Sequence, residues 1–192
     1  MGHPEGERPS PHPYVLLARR AVCLTASRLD PFLYIERGQY CAMPEMTVRR
    51  GCFVSIKKGP QGELRGCIGT IRPVRENLWE EIVANARAAA SEDPRFPPLE
   101  PGETAECLVS VDILDEPAPI EDLSELDPFL YGVIVERGGR KGVLLPDLEG
   151  VDTVEQQISI AMRKAGIGPG EKIVIYRFKV SRFSEVDLER DD

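Results

Sequence analysis

The sequence predicts an α+β fold: antiparallel sheet with flanking helices. Three observations carry this. Strand-like segments alternate with a period of two and arrive in pairs across short glycine-containing turns. Three other segments repeat apolar residues at helical spacing. The two kinds are interspersed without the strand–helix–strand rhythm of a doubly wound sheet. At 192 residues the chain is long enough to enclose a substantial core.

The first element is an amphipathic helix from Tyr14 to Leu29, with Tyr14, Leu17, Ala18, Ala21, Val22 and Leu29 on one stripe. Residues 30–47 contain Pro31, Gly38 and Pro44 and read as an irregular connection. In "RRGCFVSIKK" Cys52, Val54 and Ile56 alternate with Phe53, Ser55 and Lys57, as a half-buried strand requires. "KGPQGE" is the turn of a hairpin and "LRGCIGTI" its returning strand. The helix over 77–91 follows, capped by Asn77, with Leu78, Ile82, Ala86, Ala89 and Ala90 inward. Four prolines make "EDPRFPPLEPGE" a loop. "AECLVSVDIL" is a strand with Cys107, Val109, Val111 and Ile113 on one face. A second hairpin over 132–145 turns at Gly138-Gly139. A helix in "TVEQQISIAMRKAG" stops at Gly166, and "EKIVIYRFKVSRF" is one long final strand. Residues 1–13, proline-rich and polar, read as a disordered lead-in; 14–186 form the folded domain and 187–192 an acidic tail.

Composition excludes several functions. The formal charge of −8 argues against a general nucleic-acid binder. Arg49, Arg50, Lys57, Lys58 and Arg65 read either as a local basic patch or as the solvated rim of a hairpin. No apolar run reaches the ~20 residues of a membrane helix, and no signal-peptide core precedes the domain, so a cytoplasmic protein is expected. Five cysteines without a C-x-x-C pair argue against a disulfide framework and a zinc site; neither metal nor resident cofactor is expected. Both histidines, His3 and His12, fall in the lead-in, so the domain is expected to lack an imidazole base.

The chemistry therefore centres on "ELRGCIGTIRP". Strand alternation puts Arg65 and Cys67 on one face, where a guanidinium stabilises a thiolate. Gly66 and Gly69 admit close approach by a ligand or another backbone. Cys67 and Arg65 are thus the candidate catalytic pair, with Gly66, Gly69, Arg95 and Asp112 as candidate ligand-binding residues. The competing reading buries Cys67 and uses the glycines to make room for helix 77–91. "DPRFPP" either lines a cleft with Arg95 or is a stiff connector whose Phe96 plugs the core. Ser110 and Asp112 share the strand face opposite the apolar one. "LDPFLY" occurs at 29–34 and again at 126–131, which reads as one proline-initiated turn used twice and not as a duplicated domain.

"GCFVSIKKGPQGELRGCIGTIRP", "DPRFPPL", "CLVSVDIL", "GGRKGVLLP" and "QISIAMRKAGI", in that order, resemble the AMMECR domain family across residues 14–184. The hexapeptide Leu64–Gly69 is that family's hallmark. The resemblance implies two subdomains of unequal size around a cleft near the hexapeptide. It also implies partners, a radical-SAM enzyme and a Memo-like protein. Two functions follow: a Cys67-centred site that binds or transforms a small ligand, or a non-catalytic protein-interaction module with Cys67 structural.

Overall fold

The computed structural model describes residues 12–59 and 61–185. The expected tail and all but the last two residues of the lead-in lie outside these. The chain forms two compact units. One comprises residues up to Ile113 together with those from Arg182 onward; the other is Leu114–Ser181, inserted between them in sequence.

The first unit begins with α1 (Pro13–Ala26), one residue earlier than the apolar spacing predicts. His12 caps it: its Nδ1 accepts the Tyr14 N–H, and its ring stacks against Tyr14 and Phe183. An imidazole therefore does belong to the folded part, placed as a cap. Burial lowers its pKa, against an opposing pull from Glu45. Residues 30–47 are more ordered than their prolines suggest, holding α2 (Pro31–Tyr34), α3 (Gly38–Cys41) and a 3-10 turn. The β1 (Cys52–Lys58) and β2 (Glu63–Thr70) strands pair antiparallel, as the short turn requires. The α4 helix (Leu78–Ser91) is capped by Asn77, whose Oδ1 accepts the Glu80 N–H. A loop then leads into β3 (Cys107–Leu114), antiparallel to β1.

One sheet has the strand order β2-β1-β3-β8, where β8 is Val180–Ser184. Its inner face carries Cys52, Val54, Ile56, Val109 and Val111, all sealed, and packs on α4 with Ile82, Val83 and Ala86; α1 lies against α4. One buried carboxylate in this layer is fully satisfied. Glu81, fully buried, accepts the Thr70 hydroxyl and the N–H groups of Val74 and Arg75, which fastens the end of β2 to the helix.

The second unit holds β4 (Ala118–Pro119), β5 (Gly132–Arg137), β6 (Arg140–Leu144), α5 (Val154–Lys164) and β7 (Val174–Phe178). Its sheet order is β4-β7-β5-β6, and the β5–β6 hairpin is antiparallel as expected. The long final strand is two strands: β7 pairs with β5 in the second sheet, and β8 belongs to the first. Periodicity alone does not mark a strand that changes sheets.

The repeated "LDPFLY" is one local device in two places. Asp30 Oδ1 accepts the Phe32 N–H at 3.0 Å, and Asp127 Oδ1 accepts the Phe129 N–H at 2.9 Å. Each aspartate carbonyl also accepts from the leucine three residues on. An Asx-Pro turn opens both copies.

Candidate functional site

β2 is the edge strand, so alternate peptide groups point away from the sheet and need partners. Its register with β1 is interrupted: Ile56 faces Gly66, but Lys57 faces Leu64, leaving Arg65 as the extra residue of a β-bulge. The bulge decides the site. Continued from the turn without it, the register would pair Cys67 with Val54 on the sealed inner face. With it, Cys67 stands opposite Ser55 on the outer face.

On that face Ser55 is in turn opposite Ser110, giving a cross-strand row Cys67–Ser55–Ser110, all half-buried. The Ser55 hydroxyl is 3.3 Å from Cys67 Sγ and donates to it. The next row is Gly69–Phe53–Asp112.

Outside the edge, the Asp93–Arg95 segment takes the place of a neighbouring strand. The Cys67 N–H donates to Asp93 Oδ2 at 2.8 Å, and the Cys67 carbonyl accepts from an Arg95 Nη at 3.2 Å. Arg95 also grips both oxygens of Asp93, through Nε at 2.9 Å and Nη at 2.7 Å. That guanidinium, with the two backbone N–H groups of Cys67 and Arg95, holds the Asp93 carboxyl far below the usual carboxylate range despite its burial. The loop is anchored by Leu99, 1% exposed, whose N–H reaches the Ala90 carbonyl. Phe96 is only half-buried, with Arg95 over its ring, and is no core plug.

Arg65 is engaged with this loop and none of its hydrogen bonds goes to Cys67. It binds both Glu103 oxygens at 3.2 and 2.9 Å and the Pro97 carbonyl at 2.9 Å. Hydrogen bonding from Arg65, then the Glu100 N–H and Lys58, brings the Glu103 carboxyl down to about 2. Lys58 and Arg65 thus share one acid, and Arg49 donates to the Pro73 and Arg75 carbonyls, so these three cations are engaged by the protein itself.

Both glycines serve approach by the protein's own groups. A Cβ at Gly66 would lie 2.2 Å from the Ala89 carbonyl oxygen of α4, and one at Gly69 would lie 2.3 Å from the Phe53 ring. Asp112 is 4% exposed and held by Arg182 at 2.8 and 3.2 Å. Two strands and one rung from Cys67, it lies roughly 12 Å away by strand spacing, beyond proton transfer.

The structure therefore brings Cys67 together with Arg95, and it leaves Arg65 and Asp112 in separate ion pairs. Ser55, Asp93 and Glu103 are the residues that sequence reasoning missed. Ser55 follows only from a register that includes the bulge, and Asp93 only from knowing that β2 is an edge. The sealed cysteines differ from Cys67: burial pushes the Cys52 thiol up to about 12 and also raises that of Cys107. Among the described residues, no group of three or more His, Cys, Asp or Glu side chains is arranged to hold a metal. No helix among them is long and apolar enough to cross a membrane.

Comparison with known proteins agrees with this architecture. A protein of Thermotoga maritima is 48% identical over 90% of this chain and 97% of its own length. Protein MK0488 of Methanopyrus kandleri is 38% identical over 81% of this chain and 83% of its own. Protein CA_C1420 of Clostridium acetobutylicum is 45% identical over 94% of this chain, which spans only 38% of that longer protein. The crystal structure of the uncharacterised protein PH0010 from Pyrococcus horikoshii superposes with a TM-score of 0.78 at 31% identity, over 90% of this chain and 89% of that one. The AMMECR1 family profile matches residues 15–183, and with these relatives it places the chain in the AMMECR1 family.

Proposed function

We propose that the chain is a cytoplasmic ligand-binding component that presents the Cys67 thiol on the outer face of its first sheet and works with a radical-SAM enzyme and a Memo-like protein. One observation carries the reading. The β-bulge turns Cys67 outward, and Asp93 and Arg95 then fix both of its peptide groups, so a single thiol is held rigidly beside Ser55. Rigid support of one reactive group is what a binding site needs.

The surroundings favour binding over self-sufficient catalysis. The side chains that engage the sulfur are the Ser55 hydroxyl and the Arg95 guanidinium, and neither is a base near neutral pH. Asp93 faces the backbone and stays ionised, and Asp112 is committed to Arg182. A proton acceptor for thiol chemistry would come from the ligand or a partner.

A second reading, a non-catalytic interaction module with Cys67 structural, is favoured by the engagement of Arg65 with Glu103 and the proline carbonyls. Size-exclusion chromatography of the chain mixed with purified radical-SAM and Memo-like proteins separates the two. Co-elution that Cys67→Ala and Cys67→Ser abolish at unchanged melting temperature supports the first reading. Co-elution that survives Cys67→Ala, with the melting temperature lowered, assigns the cysteine to packing. Failure of the wild type to co-elute removes these partners.

A further inference from the structure

Away from Cys67, a surface pocket of about 540 Å³ opens in the first unit between α2, the segment behind it and α4 with the residues that lead into it. Its size is that of a small-molecule site. The apolar part of the wall is Phe32, Ile35 and Trp79, with the two rings edge to face at 5.9 Å. The rest is charged and unbalanced: three arginines, Arg37, Arg75 and Arg87, stand against one carboxylate, Glu80. On a chain of net charge −8, this is a local reversal of sign.

The cations are weakly neutralised. Arg37 reaches Glu80 only at 3.5 Å while lying over the Trp79 ring at 5.8 Å, and Arg87 reaches Glu92 only at 3.5 Å. Both distances exceed a good hydrogen bond. The Arg75 side chain is exposed and makes no ion pair among the described residues. There is a second, independent sign. Three buried side-chain polar atoms among the described residues lack a hydrogen-bond partner, and two of them, Trp79 Nε1 and Arg87 Nε, belong to residues of this wall. Trp79 itself is 4% exposed. Buried orphan groups call for an explanation, and both of these are donors, so what they lack is an acceptor.

We propose that this pocket binds a small phosphate monoester, its phosphate on Arg37, Arg75 and Arg87 and its apolar body on Phe32 and Ile35. A phosphate monoester carries about −1.5 to −2 charges at neutral pH, which matches three guanidinium groups offset by one carboxylate. Its oxygens accept the several hydrogen bonds that arginine forks offer. Trp79 Nε1 and Arg87 Nε are covered by neighbouring atoms, so the ligand meets them only if Arg87 and the indole shift.

That shift supplies the assay. Trp79 is the chain's one tryptophan, so its emission reports this pocket alone. Phenyl phosphate, inorganic phosphate and benzoate are each titrated at constant ionic strength. The expected result is a saturable change with phenyl phosphate, weaker binding of inorganic phosphate, and benzoate weaker still. Arg75→Gln should weaken phenyl phosphate about tenfold, the loss of one charge-assisted hydrogen bond. Because Arg75 is exposed and makes no ion pair among the described residues, that variant tests the proposal even if Arg87→Gln fails to fold. A flat titration, equal responses to all three probes, or Arg75→Gln binding as tightly as wild type would overturn it.

Discussion

Gly66→Ala tests the packing that places the candidate site. The added Cβ would sit 2.2 Å from the Ala89 carbonyl oxygen and 3.2 Å from its carbon, both backbone atoms in the last turns of α4. A comfortable contact needs about 1 Å more, so either β2 or the end of α4 must retreat. Retreat of α4 also disturbs the Leu99-to-Ala90 hydrogen bond that anchors the Asp93–Arg95 loop. Overpacking of this kind costs about 1–3 kcal/mol, and the lower chain entropy of alanine in the unfolded state returns roughly 0.4–1 kcal/mol. The net loss is about 1.3 kcal/mol at the middle of these ranges, or about 3–5 °C in melting temperature for a chain of this size. Thermal melts followed by circular dichroism measure it. Gly38→Ala is the control: a Cβ there meets nothing within 4 Å, so only the entropic gain of roughly 0.4–1 kcal/mol remains and the protein is not destabilised. A Gly66→Ala protein as stable as wild type would refute the close approach of α4 to β2.

Two further outcomes test the clamp around the hexapeptide. Asp93→Ala leaves the Cys67 N–H without its acceptor and should cost about 1–3 kcal/mol; amide exchange at Cys67 should speed up, and unchanged exchange would contradict the assignment. Glu103 titrates at about 2 in the folded chain against an ordinary 4.5, so its contribution is full above the unfolded value and fades as pH falls between those values. The stability gap between wild type and Glu103→Gln should therefore shrink across that window in urea melts, and a gap independent of pH would rule out the ion pair with Arg65.

Much of the fold was legible because its signals are local. The α4 stripe, the Asn77 cap and the alternation of β1 and β3 all survive into the structure. So does the Asx-Pro turn behind both "LDPFLY" copies, whose hydrogen bonds span only two or three residues. What escaped depends on partners distant in sequence. The split of β7 from β8 reflects two sheets claiming one extended segment. His12 reads as lead-in because its cap and its stacking on Phe183 are invisible to periodicity. At the candidate site, alternation groups Cys67 with Arg65 on one face, but it is the bulge at Arg65 that turns Cys67 away from the sealed side. The pairing of Arg65 with Glu103, 38 residues away, leaves no mark on the strand pattern.

Cys67 is the strand cysteine whose thiol is presented outward, and alkylation of the native chain is the sharpest check of that placement. Limiting maleimide is added across a range of pH, and each cysteine is assigned by mass spectrometry. Cys52 and Cys107 lie on the sealed face with thiols raised by burial, and the thiolate is the reacting form. Cys67 should be modified well before either, and the native fold should persist after the first addition. Modification of Cys107 or Cys52 at the same rate as Cys67, or ahead of it, would contradict this placement and return the hexapeptide to a packing role.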